Sequence, residues 1–458
     1  MGTKRDNQFA GVVDDVPCTG DRMRALRLRL VPSLGATLLT AVATANVALW
    51  LIARPLHQPT GRYLGELCGA EAVLLLSCSL VLATILPAIE RAFSGLDRVA
   101  VWHRRVATIA VLLLVPHRVL VASGADPYGT AIGRGLGVIA LLGLVVLSVW
   151  ALAPRLRTAG WPGPMVRRLA RASYERWLTV HRLTGLFVIA AVAHGALVAP
   201  ALHSSTLLRV TYLAIGGTGV AAYAYRELFA RFVIPVHDYT VSDVQRPNDT
   251  TIGVSLEPVR GPLAFVPGQF VVLSFGGASG WQTHPFSVAS APSERRLDVS
   301  IKAVGDYTRD LHDKLRPGTP AKAVGPFGGF DYRHGGHDQI WIAGGIGITP
   351  FLSWIRSLDG SFDRNVDFYY SVRRQADALY LAEIEAAARH HPTLRASVVE
   401  TEREGLLTAE KAAKGHPRGT DVWIYMCGPP PMMTALAEGF RGLGIPASRV
   451  RWEQFDIR

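Results

Sequence analysis

The stretch Val101–Ala122, VWHRRVATIAVLLLVPHRVLVA, carries His103 and His117 in an apolar run long enough to cross a bilayer. A second stretch, Val180–Gly195, VHRLTGLFVIAAVAHG, repeats the arrangement with His181 and His194. Fourteen residues separate the first two histidines, about 21 Å along a helix, and bring the second ring back to nearly the same face. Thirteen separate the other two, about 20 Å, with a rotation of about 220°. That helix therefore has to bend, overwind or bulge, or its rotamers must absorb the difference; Gly185 or Gly195 would permit a bend. Pro116 is expected to distort the first stretch beside His117.

Working outward, six apolar segments read as spanning helices: Leu34–Ile52, Cys68–Pro87, Trp102–Ala122, Ile132–Ala153, Val180–Leu202 and Leu207–Phe229. The histidine helices are the third and fifth, so they run the same way. His103 then lies level with His181, and His117 with His194. Imidazoles facing each other across a helix bundle are good haem-iron ligands. One histidine in an apolar helix is usually a packed core residue; four, paired at matching depths, predict two bis-histidine haems stacked along the membrane normal. Arg104, Arg105 and Arg182 at one end and Arg118 at the other either neutralise haem propionates or snorkel to the interface. Glu71 either pairs within the bundle or sits near its end.

Composition agrees. The 458 residues are 49% hydrophobic, too many for one ordinary domain, and the formal net charge is +12. The basic residues flank the apolar runs, which favours an anionic membrane surface over nucleic acid. Arg22, Arg24, Arg27 and Arg29 precede the first segment. Arg91, Arg98, Arg104 and Arg105 follow the second, and Arg155, Arg157, Arg167, Arg168, Arg171 and Arg176 the fourth. Arg226 and Arg231 close the sixth, while Arg54, Arg62, Arg134 and Arg209 mark the poorer loops. Positive loops stay cytoplasmic, so both termini are expected there. The polar, basic start before Leu34 does not read as a cleaved signal peptide. Cys18, Cys68, Cys78 and Cys427 make no zinc or iron–sulfur pattern, and Cys68 and Cys78 read as helix filling.

After about Pro235 the periodicity changes. VHDYTVSDVQ, TIGVSLEPV, QFVVLSFG and LDVSIKAV are short alternating strands of a small closed antiparallel barrel. His284-Pro285-Phe286-Ser287 stands out, as does the string from Lys302 through Gly305 to Tyr307-Thr308. A Gly–Thr pair opening a helix either holds a pyrophosphate or makes an ordinary cap. From Gln339, QIWIAGGIGITPFLSWIRSL reads as strand, glycine turn and helix. Gly344, Gly345 and Gly347 allow close approach of backbone to phosphate, and the helix opens at Thr349-Pro350. VDFYYSVR is a second strand, followed by Ser371, Arg373 and Arg374 where an adenosine ribose is read; arginines there favour a 2′-phosphate. DVWIYMCGPPPMMTAL is a late strand and turn, with Cys427, Gly428 and Pro429, feeding a helix.

Together these strings resemble the NADPH oxidase / ferric reductase transmembrane superfamily. HPFS at His284–Ser287 is similar to its flavin motif, GGIGITP at Gly344–Pro350 to its pyrophosphate loop, and CGPPPM at Cys427–Met432 to its Cys-Gly-Pro turn. GPFG at Gly325–Gly328 and the sequences around the four histidines match as well. The resemblance implies a multi-domain membrane protein, in which a six-helix transmembrane bundle precedes a ferredoxin-reductase-like module. That module would pair an antiparallel β-barrel FAD domain with an α/β parallel-sheet nicotinamide domain. The boundaries are a cytoplasmic N-terminal segment 1–33, the bundle 34–231, the barrel 235–334 and the nicotinamide domain 337–458. It further implies that His284, Pro285, Phe286, Ser287, Lys302, Gly305, Tyr307 and Thr308 hold FAD. Gly344, Gly345, Gly347, Thr349, Pro350, Ser371, Arg373, Arg374, Cys427, Gly428 and Pro429 would hold NADPH, with NADH possible. Trp452 or Phe455 would cover the flavin ring. No calcium-binding hand or added cysteine quartet accompanies them.

The expected function is electron transfer from NADPH through FAD and two haem b groups to an acceptor across the cell membrane. Dioxygen, giving superoxide, stands slightly ahead of a ferric chelate. A quinone or partner haem as acceptor, and a non-enzymatic haem-binding scaffold or sensor, are the alternatives. The bilayer is the expected partner; nucleic acid and an obligate protein partner are not indicated.

Overall fold

The computed structural model describes residues 34–55, 58–93, 95–122, 128–158, 174–277, 281–416 and 421–453. The N-terminal segment, Arg167, Arg168, Arg171 and Phe455 lie outside them. The first half is helical: α1 (Leu34–Ile52), α2 (Thr60–Leu82), α3 (Pro87–Phe93), α4 (Leu96–Val121), α5 (Ala131–Thr158), α6 (Tyr174–Arg182), α7 (Thr184–Val198), α8 (Pro200–Ser204) and α9 (Thr206–Ala224). A π-helical turn, Tyr225–Phe229, continues α9. Six of these stretches are long and apolar enough to cross a membrane by length and composition. Their outward faces expose Leu38, Leu112, Val115, Val146, Leu186 and Val210. Thr40, Thr44, Thr211 and Thr218 return their hydroxyls to carbonyls four residues back, which satisfies them within their own helices.

The second span starts at Thr60 and ends at Leu82, instead of running from Cys68 to Pro87. Arg62 disguises its start. It is not a loop charge but a buried helix residue, paired with Glu66 at 3.1 Å. Pro87 opens α3, as proline does in a first helical turn. α2 is the central helix, with two thirds of its apolar window buried. Glu71, on the same helix, accepts a hydrogen bond from Asn46 of α1 at 2.8 Å, which settles its place inside the bundle. Cys68 and Cys78 are half-buried free thiols on α2.

The fifth span is broken where the thirteen-residue spacing required. α6 ends at Arg182 and α7 begins at Thr184, with a turn at Leu183 directly after His181. The span stops at Ala199 ahead of Pro200, short of Leu202. Pro116 is accommodated within an unbroken α4.

The second half contains two sheets. β1 (Val236–Asn248), β2 (Thr251–Pro258), β3 (Phe270–Phe275), β4 (His284–Ser287), β5 (Leu297–Lys302) and β6 (Pro320–Phe327) pair antiparallel in the order β4-β3-β6-β1-β2-β5. A bridge between Val288 and Val299 draws the two ends together. Inward residues such as Val241, Ile252, Val254, Val271, Leu273 and Val299 fill the core. β4 and β6 are not among the strands expected from the sequence, and α10 (Asp306–Lys314) follows β5.

The second sheet is parallel throughout, in the order β11-β10-β7-β8-β9, from β7 (Asp338–Gly344), β8 (Asn365–Val372), β9 (Leu394–Glu400), β10 (Trp423–Cys427) and β11 (Val450–Glu453). Helices α11 (Thr349–Arg356), α12 (Leu381–His390) and α13 (Pro430–Gly442) cover it. This is a ferredoxin-reductase-like arrangement of an FAD-type barrel and a nicotinamide-type sheet. α11 joins the two parts: Ser353 donates to Ser290 O at 2.7 Å and Trp354 Nε1 to Pro267 O at 3.1 Å. Arg356 reaches both Ala289 O and Asp298 of the barrel. Ser300 and Tyr380 share a hydroxyl hydrogen bond of 2.8 Å across the same boundary.

Candidate functional site

All four histidines converge as two pairs between α4 and the α6–α7 span. The ring centroids of His103 and His181 are 6.1 Å apart, and those of His117 and His194 are 6.3 Å apart; both pairs are crossed at 85°. His103 lies nearer α3, and His117 nearer the far end of the bundle. A backbone carbonyl can only accept, so each ring nitrogen facing one must carry the proton. His117 Nδ1 donates to Gly65 O and His194 Nδ1 to Gly133 O, both at 2.8 Å. His103 Nδ1 donates to Ser79 O at 3.0 Å. In a neutral imidazole this leaves the lone pair on Nε2, the tautomer a metal ligand needs.

Glycines, which the sequence reading passed over, make room for the far rings. A Cβ on Gly69 would lie 2.7 Å from His117, and one on Gly137 would lie 2.6 Å from His194. Each of these glycines stands one turn after the glycine whose carbonyl takes the proton. The signal was present as Gly-x-x-x-Gly at 65/69 and 133/137. Of the arginines beside the rings, Arg182 is committed to Glu227 through two hydrogen bonds at 3.0 Å. Arg105 lies over the Trp102 ring at 5.1 Å.

In the barrel, His284 stacks on Tyr307 with centroids 4.1 Å apart and planes 15° from parallel. The Tyr307 hydroxyl donates to Gln282 O at 3.1 Å, and burial pushes its pKa up to about 12. Pro285 follows His284 on β4, opposite Val272. Two of the expected flavin residues have structural contacts of their own. Phe286 packs into the barrel core, because alternation along β4 turns it inward. The Thr308 hydroxyl accepts from Val304 N and Gly305 N at 3.0 Å, so it caps the start of α10. Ser287 is buried, while Lys302 is exposed at the end of β5.

The glycine loop after β7 and the Cys-Gly-Pro turn after β10 press together at the carboxyl ends of the parallel strands. A Cβ on Gly347 would strike Cys427 O and lie 2.8 Å from Gly428 N. One on Gly344 would meet Met432 and Pro429 at 2.8 Å, and one on Gly428 would meet Gly344 Cα at 3.0 Å. Gly345 has φ +53° and open space where a side chain would stand. Thr349 returns its hydroxyl to Ile346 O at 2.8 Å, and Pro350 occupies the first turn of α11. Burial, together with the neighbouring Glu453 carboxylate, pushes the Cys427 thiol well above its ordinary range. It therefore stays protonated and is no nucleophile.

Ser371 is the last residue but one of β8 and is buried. Arg373 and Arg374 follow it, but both have carboxylate partners: Arg373 Nε lies 2.5 Å from Glu402, and Arg374 lies 3.6 Å from Asp377. Trp452 is half-buried within β11, packed against the core of the parallel sheet and paired with Met426.

Comparison with known proteins bears on this second half. Residues 236–326 match the FAD-binding domain family, and residues 341–438 match the oxidoreductase NAD-binding domain family. A flavohemoprotein of Pseudomonas putida is 30% identical over 199 residues, 41% of this chain and 50% of its own length. The reductase component of a phenol 2-monooxygenase from Pseudomonas sp. is 34% identical over 218 residues, 44% of this chain and 61% of its own. The chain thus spans between half and two thirds of the curated relatives it matches. Among solved structures, a flavohemoglobin from Malassezia yamatoensis aligns with a TM-score of 0.46 at 16% identity, covering 84% of this chain and 95% of that one. The second half is an FAD- and NAD(P)H-binding flavoprotein reductase module, related to ferredoxin-type reductases and to the reductase domains of flavohemoproteins. Modules of this class carry electrons from NAD(P)H through FAD to a redox partner.

Proposed function

We propose that the redox partner is the chain's own helical half, and that the protein is a transmembrane NAD(P)H oxidase-type flavocytochrome of the cell membrane. Its cytoplasmic reductase module would feed two haem b groups, the inner held by His103 and His181 and the outer by His117 and His194. The observation that carries this reading is the separation of the paired rings. Two imidazoles on opposite sides of one metal ion, each bonded at about 2.0 Å, have centroids about 6 Å apart. Both pairs meet that distance, at 6.1 and 6.3 Å. Among the described residues no group of three or more His, Cys, Asp or Glu gathers to cage an ion. A two-ligand site suits a metal that brings its remaining ligands with it, as haem iron does.

When bound, FAD converts a hydride into single electrons and haem iron relays them one at a time. The chain's residues do the rest. The carbonyls of Ser79, Gly65 and Gly133 fix the ring tautomers, and Gly69 and Gly137 let the rings reach their positions. Gly344, Gly347 and Gly428 bring two turns into backbone contact where a nicotinamide nucleotide would lie, and Gly345 leaves room beside them. His284 and Tyr307 offer a stacked aromatic wall at the barrel end. Cys427, held as a thiol, orients and does not attack. The acceptor we favour is dioxygen, since it needs only an exposed outer haem edge, with a ferric chelate second.

Detergent-solubilised protein should contain two b-type haems per chain by pyridine haemochrome, six-coordinate and low-spin after dithionite. NADPH or NADH should reduce both under argon. One haem or none defeats the two-haem reading and leaves a flavin reductase attached to a helical anchor. Superoxide-dismutase-sensitive cytochrome c reduction, set against direct capture of Fe(II), then separates the two acceptors.

A further inference from the structure

We propose that Glu90 is the positioning residue that docks the flavin barrel against the inner haem site. This rests on the electron path proposed above. Glu90 lies on α3, the short helix between the second and third spans. The residue is 9% exposed, and its carboxylate accepts a hydrogen bond from the backbone N–H of Gly328 at 2.6 Å, across 238 residues of sequence. A buried carboxylate taking an N–H is a strong, directional contact.

Both ends of that bond are built into their domains. On the bundle side, Phe93 of α3 packs against Trp102 with centroids 6.4 Å apart, and it fills the space beside Gly35 of α1. Trp102 precedes His103, whose ring is held by Ser79, eight residues before Pro87. α3 is therefore braced against the same turn of α4 that presents the inner ligand. On the reductase side, Gly328 has φ +97°, a conformation that favours glycine. Its carbonyl accepts from Gln269 Nε2 at 3.0 Å, which ties the loop to the barrel. A Cβ at Gly328 would lie 2.6 Å from Glu453 Oε1 and 3.1 Å from Phe270. Glu453 in turn pairs in register with Cys427 at the nicotinamide turn. One short loop thus meets the barrel, the nicotinamide sheet and the bundle, and Glu90 supplies the bundle's hold on it.

Electron hops fall off steeply with distance, so loosening this contact should slow the flavin-to-haem step while leaving hydride transfer to flavin intact. That step moves one electron from flavin reduced by NAD(P)H to ferric iron, and no bond to the protein changes. The test compares Glu90→Ala, Glu90→Asp and Glu90→Gln in the full-length protein. Gln keeps the reach and an acceptor oxygen; Asp keeps the charge but draws the oxygen back.

The first readout needs no turnover: amide hydrogen exchange at Gly325–Phe330. It should speed up about tenfold in Ala and Asp and stay slow in Gln. The second is stopped-flow haem reduction by NAD(P)H, which should fall about tenfold in Ala and Asp while ferricyanide reduction, read at the flavin, is unchanged. Should Ala fail to fold, Asp against Gln decides the same question. Unchanged exchange in Asp, an equal loss in Asp and Gln, or a parallel fall in ferricyanide reduction each overturns the proposal. Absence of haem from the wild-type protein would sink the electron path instead, and hydrogen exchange would still report on Glu90.

Discussion

In the outer histidine pair both rings are anchored, with His117 and His194 each donating from Nδ1 to a glycine carbonyl at 2.8 Å. The inner pair is anchored on one side only. His103 donates to Ser79 O at 3.0 Å, but His181 Nδ1 is buried with no hydrogen-bond partner among the described residues. Its ring is held by stacking on Trp177 instead, with centroids 5.4 Å apart and planes 12° from parallel. The helix break explains the difference. The turn at Leu183 brings His181 onto the pairing face, and Thr184 then takes the His181 carbonyl at 2.6 Å. His194 sits in uninterrupted helix against α5 and finds a carbonyl there. Position along one span thus decides which ring is fixed by backbone and which by side-chain packing.

The largest effect should come from removing a ligand. His117→Ala or His194→Ala should halve haem content and cut acceptor reduction more than about a hundredfold, with ferricyanide reduction retained. Full haem content in either variant would break the assignment of the outer pair. Next comes the glycine seat. Gly137→Ala places a methyl 2.6 Å from the His194 ring and should lower outer-haem occupancy severalfold, leaving the inner haem in place. Equal loss of both haems would show that the two sites are not independently seated.

The smallest effect is on potential. A hydrogen bond at Nδ1 raises the basicity of an imidazole and favours ferric iron. The inner site has one such bond and the outer has two, so the inner haem should titrate at the higher potential. In spectroelectrochemical titration, His181→Ala should delete the higher of two waves; deletion of the lower one reverses the order.

Much of this was legible in the sequence, and the reasons are physical. The paired histidines, the break in the fifth span and the glycine turn after β7 all follow from helical geometry or from backbone conformations that few residues tolerate. What stayed hidden depended on partners distant in the chain. Arg62 read as a loop charge because its neutralising contact with Glu66 exists only in three dimensions. β4 and β6 were missed because Pro285, Pro320 and Pro326 interrupt the strand pattern. β9 and β11 were missed because LRASVVE and VRWE are short and charged. Gly69 and Gly137 gained meaning only once it was known which helix backs each histidine. Arg373 faces Glu402 of a distant segment and Arg374 faces Asp377 three residues on, so arginine content alone does not establish a preference for the phosphorylated nucleotide.

The hydrogen bond between Asn46 and Glu71 bears on biogenesis. Taken singly, an asparagine in α1 and a glutamate in α2 each penalise transfer into lipid. Presented together as a hairpin, each satisfies the other before meeting hydrocarbon. In the membrane setting proposed above, the first two helices should therefore leave the translocon as a pair, and glycosylation mapping should find α1 more often correctly inserted when α2 follows it.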